Sequence, residues 1–155
     1  MRDQIVETWH INNRANLLLL DHISAEGLRS TLSARGGRDV GRQFAHLHNV
    51  RLGWLEVSAP DLAKGLKKFD AKLSPSADVL KKSLRASADA IARWLERGIE
   101  AGGHVKAFKR GVISALGYLI SHESHHRGSI LLTLKQTGHK VDTAVQYGIW
   151  EWGRL

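Results

Sequence analysis

Between Ser76 and the glycine pair Gly102-Gly103, Leu80, Leu84, Ile91 and Leu95 recur at the three-to-four-residue spacing that puts them on one face of a helix. That periodicity, found in four long stretches, constrains the fold more than any other feature. Residues 3 to 23 carry it through Ile5, Trp9, Leu17 and Leu20, with Asn13 interrupting the stripe. Asp39 stands where it can cap a second helix from about 40 to 58, which Pro60 stops. The third stretch, near 77 to 101, ends at its glycine pair. The fourth, from about Lys109 to Gln136, ends at Thr137-Gly138. A short helical turn is expected after Ser24, and the lysine-rich link from Asp61 to Pro75 reads as irregular and long enough to cross a bundle end. No segment alternates with a period of two, so no strand is needed. The expectation is an all-α four-helix bundle in one domain over residues 1–155, each helix about 30 to 40 Å long at ~1.5 Å per residue. The C-terminal Tyr147, Trp150 and Trp152 are expected to pack back onto it.

The longest apolar run, "ANLLLL", falls far short of the roughly 20 residues a bilayer crossing needs. The first ten residues contain no apolar core of a signal peptide, so a soluble chain with a cytoplasmic address and no membrane partner is expected. Cysteine is absent. That excludes disulfides, a cysteine nucleophile and a thiolate metal site, and any metal must sit on nitrogen and oxygen. The net charge of +8 raises the question of a nucleic-acid partner. The excess is dispersed, however, and neither a recognition-helix motif nor basic residues interleaved with aromatics accompany it. A nucleic-acid-associated helical protein is therefore the weaker alternative.

Four of the nine histidines fall between Ser121 and His139. His122 and His126, four residues apart, share a helix face with Cβ atoms about 6 Å apart, within reach of one ion. His126 lies at the edge of the core-facing stripe beside Leu119 and Ile130. His125 sits about 100° round the helix and is the weaker ligand. "HESHH" also fits the HExxH pattern, in which Glu123 would act as a general base. Its supporting context is missing: Ser129 stands where the longer motif has glycine, and no strand exists to align a peptide. Glu123 lies inside the apolar stripe four residues before Arg127, so an intrahelical ion pair is its simpler explanation and Glu123 is a weak candidate for a base. A catalytic site commonly takes three protein ligands and leaves a position open. The second helix offers His46 and His48, which point about 200° apart, so only one of them can face the pair.

Three features, "AHLHNVRLGWL", "HESHHRGSI" and the N-terminal "ETWHINNRANLLLLDHI", resemble the DinB-like family of metal-dependent helical proteins, and the closing "YGIWEW" looks like that family's tail. The resemblance covers most of the chain. It implies an up-down-down-up four-helix bundle with a long crossover between the second and third helices. It also implies a divalent ion, zinc or nickel, on three histidines that correspond by position to His46, His122 and His126. A low-molecular-weight thiol as cosubstrate, a small electrophilic substrate, transferase or hydrolase chemistry and a homodimer are the further expectations. A structural or vestigial metal site is the bland alternative.

Overall fold

A computed structural model describes residues 1–155 and is helical throughout, apart from an isolated bridge between Val105 and Phe108. Four long helices, α1 (Arg2–Asp21), α3 (Val40–Ser58), α5 (Ala77–Glu100) and α6 (Val112–Gln136), are joined by three short ones, α2 (Ala25–Leu28), α4 (Pro60–Ala63) and α7 (Thr143–Gly148). No helix is long and apolar enough to cross a membrane.

Local chemistry sets most of the boundaries. Asp39 caps α3 by accepting the Arg42 amide at 2.7 Å, and Ser74 donates to the same oxygen. At the end of α5, Gly102 takes φ +70, and the Gly103 amide turns back to the Gly98 carbonyl at 2.8 Å. That closure satisfies the last free carbonyls and needs a residue tolerant of positive φ. Gly138 does the same for α6, with His139 bonded back to Leu134. The α6 helix starts at Val112, three residues later than the expected Lys109. Gly111 has φ +86 there, and a Cβ at that position would lie 2.7 Å from the Gly103 carbonyl oxygen. The chain is therefore locked against the α5 turn before it enters the helix. Pro60 ends α3 as expected but also opens α4, occupying a first-turn position where its missing N–H costs nothing. Part of the Asp61–Pro75 link is thus helical.

The interior consists of two apolar halves. One gathers Leu19, Leu20, Phe44, Leu47, Leu80, Leu84, Ile130 and Leu134; the other gathers Trp9, Leu55, Ile91, Leu95, Ala115 and Leu119. Between them, all four long helices contribute polar side chains at one level: Asn12, Asn13 and Asn16 from α1, Arg51 from α3, Ser87 from α5, and Glu123 and Arg127 from α6, all buried. Buried polar groups of this kind persist only when their hydrogen bonds are made. Arg51 binds both oxygens of Glu123, at 2.7 and 2.9 Å, and its remaining nitrogen reaches Asn13, the Leu84 carbonyl and Ser87. Asn12 and Asn16 donate to Glu123, and Arg127 donates to Asn16. The guanidinium of Arg51 also lies 4.7 Å from the centre of the Trp9 ring. Asn13, which breaks the apolar stripe of α1, belongs to this layer.

The crossover between α4 and α5 is pinned to α3. Asn49 exchanges two hydrogen bonds with Phe69, and Arg42 donates to the Ala71 carbonyl. The tail packs against the first of the two apolar halves, but differently from expectation. Val141, Val145 and Ile149 are buried and Trp152 is half-buried, whereas Tyr147 and Trp150 are 68% and 70% exposed. On a six-residue helix the buried positions recur every four residues, which turns both large aromatic rings outward.

Candidate metal centre

His46 projects from the middle of α3 toward α6, where His122 and His126 stand one turn apart. The ring centres are 5.3 Å (His46–His122), 4.9 Å (His46–His126) and 4.8 Å (His122–His126) apart. One nitrogen from each ring lies within 4.8 Å of the other two. Three ligands about 2.0–2.1 Å from a shared zinc ion span a comparable triangle after a small inward movement of the rings. All three side chains are half-buried, so they have lost part of their water and yet border an opening.

The electrostatics keep this cluster uncharged. Burial, then the Arg38 guanidinium and His122, push His46 down to about 4. Burial, then its two histidine neighbours, push His126 down to about 4. His122 is also lowered, again chiefly by burial. Near neutral pH all three rings therefore carry free lone pairs, the form a metal requires. Gln43 Oε1 lies 3.3 Å from His126 Nδ1. A proton on that nitrogen donates to Gln43 and leaves Nε2 as the ligand atom. His122 Nδ1 is buried and has no hydrogen-bond partner. An unpaired buried nitrogen of this kind is costly, and a cation among the rings relieves the cost by engaging the imidazole. The donor set therefore fits a divalent ion: borderline nitrogen ligands, three in number, with no carboxylate or thiolate among them.

A model of the DinB family matches residues 1–151. The chain belongs to the DinB family. No curated protein and no solved structure matches it.

Within this DinB-family chain, the two histidines of α3 have different surroundings. His48 points into the crossover, 2% exposed, with its ring nitrogens 3.1 and 3.0 Å from the carbonyls of Ser83 and Lys67. Burial lowers its pKa, so the neutral ring donates to one of these two carbonyls, and it takes no part in the cluster. His125 is exposed and touches only the edge of His126.

Glu123 is 1% exposed, and its carboxylate is filled by Arg51, Asn12 and Asn16. Burial opposes its charge most strongly of any single influence, yet Arg51, Asn16 and Arg127 together outweigh burial and hold the carboxyl below its ordinary range. A general base needs a free oxygen facing the reacting group; both oxygens here are engaged within the polar layer. The ion pair expected within α6 is replaced by one that crosses the bundle to Arg51, and Arg127 donates to Asn16.

Trp54 shares the helix face of His46 in the sequence, whereas Tyr118 and Phe108 beside the centre were not anticipated. Tyr118 lies parallel to His122 with ring centres 6.1 Å apart, and it meets Trp54 at 5.4 Å and Phe108 at 5.5 Å. The available signal for Tyr118 was spacing: it precedes His122 by four residues and so shares that histidine's helix face.

Proposed function

We propose that this DinB-family protein is a divalent-metal-dependent enzyme in which His46, His122 and His126 hold the ion, zinc or nickel. The reaction is transfer of a small thiol to an electrophilic substrate, or hydrolysis of one. The observation that carries this reading is the meeting of three neutral imidazoles from α3 and α6, with ligand atoms within 4.8 Å. Such an ion, when bound, lowers the pKa of a water or thiol sharing its coordination and so supplies a nucleophile near neutral pH.

The chain's own contribution is positional. Gln43 orients His126, and the Arg51–Glu123 pair, one residue along α6 from His122, fixes the register of α3 against α6. A protein without cysteine suits the thiol version, because the sulfur arrives with the cosubstrate.

The same reading takes residues 1–155 as one domain, an up-down-down-up four-helix bundle. Lys81 pairs with Asp21 and Arg2 with Glu96, which sets α1 and α5 antiparallel. His48–Ser83 and Arg51–Ser87 contacts support a parallel α3 and α5. His126–Gln43 and Trp54–Tyr118 contacts set α6 antiparallel to α3.

Titrating the cobalt- or nickel-loaded protein with small thiols tests the thiol chemistry. A sulfur-to-metal charge-transfer band that saturates and disappears in the His122→Ala variant is expected. The absence of a band with every thiol tried would contradict thiol transfer and leave hydrolysis.

A further inference from the structure

The histidine cluster has chemically different neighbours on its two sides along α3. Toward the N-terminus, His46 shares a cavity of about 50 Å³ with Arg38, Arg42, Asn49 and Asp70. That volume has room for about one or two water-sized groups. Arg42 is committed there, since its side chain donates to the carbonyls of Ala71 and Gly37. Arg38 is not. Its only polar contact is through the main chain, whose carbonyl accepts from Thr31, and its guanidinium is exposed. The acidic group in the cavity, Asp70, is turned to its own loop, where one oxygen accepts the Lys72 amide. An arginine without a carboxylate partner, beside a neutral three-histidine centre, is suited to a bidentate anion.

Toward the other end of α3 the neighbours of the cluster are aromatic. Trp54, Phe108 and Tyr118 pack with ring centres 4.6 to 5.5 Å apart, and Tyr118, 42% exposed, joins this group to His122. From His46 to Trp54 is eight residues, about 12 Å along the helix. Partly exposed aromatic side chains such as these favour flat apolar partners.

Building on the metal-site reading above, we infer that the centre takes a bipolar small molecule. Its anionic group pairs with Arg38, its flat apolar group lies against Tyr118 and Trp54, and its reacting atom sits between them beside His46, His122 and His126. Arg38 and Tyr118 are thus specificity-determining residues for opposite ends of one substrate.

The test uses three probes that separate the two ends: 6-phenylhexanoate, its neutral amide, and hexanoate. Binding is followed by calorimetry on zinc-loaded protein of measured metal content and repeated on the metal-free form. The phenyl acid should bind about tenfold more tightly than either of the others, the scale of one charge-assisted or one aromatic contact. Arg38→Gln should abolish the preference for acid over amide and leave the amide unchanged. Tyr118→Ala should reduce the preference for phenylhexanoate over hexanoate and leave hexanoate unchanged. Both residues are exposed, and matching helical circular dichroism would show that the variants fold. Equal weakening of all three probes, or an acid-to-amide ratio untouched by Arg38→Gln, would overturn the inference. Probe preferences in a protein that holds no zinc would contradict the metal reading and uphold this one; zinc binding without the preferences would do the reverse.

Discussion

Replacing Glu123 with alanine should cost about 3–5 kcal/mol, the scale of stranding one partner of a buried ion pair. Arg51, 0% exposed, would keep its charge with no counter-ion, and Asn12 and Asn16 would lose their acceptor. Against a total stability of roughly 5–15 kcal/mol, that loss leaves much of the chain unfolded at moderate temperature. Urea denaturation of Glu123→Ala and Arg51→Met beside the parent protein measures it. The double variant Arg51→Met/Glu123→Leu should be closer to the parent than either single variant, because apolar groups of similar size often replace a buried pair at little cost. A loss below about 1 kcal/mol in Glu123→Ala would mean that the carboxylate is not the centre of the polar layer, given the penalty usual for buried groups left without partners.

Alanine at His46, His122 or His126 should lower zinc affinity by well over about 100-fold, since even residues that only support a ligand typically cost 10–100-fold when removed. Gln43→Ala should fall within that smaller range, because it touches the centre only through His126 Nδ1. His48→Ala supplies the contrast. It should leave zinc affinity within about threefold of the parent, well short of a supporting residue's loss. It should also lower stability by about 1–3 kcal/mol, as expected when a buried carbonyl loses its partner. Competition against a chromogenic chelator gives the affinities, and urea melts give the stabilities. Equal loss of zinc in His48→Ala and His46→Ala would refute the separation of roles on α3.

Features governed by local chemistry were legible in the sequence. Asp39, the glycine pair at 102–103 and Gly138 act on backbone groups within a few residues, and α3 and α5 begin or end beside them as expected. The pairing of His122 with His126 is equally local, being one turn of one helix. The start of α6 was not legible, because it depends on Gly111 packing against Gly103 in a different turn. Glu123 was read against its helical neighbour Arg127, while its partner Arg51 lies 72 residues away. Asn12, Asn13 and Asn16 were a usable clue. Three amides on the inward side of α1 require buried partners, but only the packed bundle reveals that those partners are Glu123, Arg51 and Arg127. His46 and His48 were likewise known to point apart, and which of them faces α6 is decided by the rotation of α3 about its axis.

The most direct measurement is the metal content of tag-free protein after reloading with zinc or nickel and removal of the excess, with the donor atoms read by X-ray absorption. The account predicts one ion per chain on three imidazole nitrogens, lost in His46→Ala. Well under one ion per chain, or a full ion retained by that variant, would contradict it.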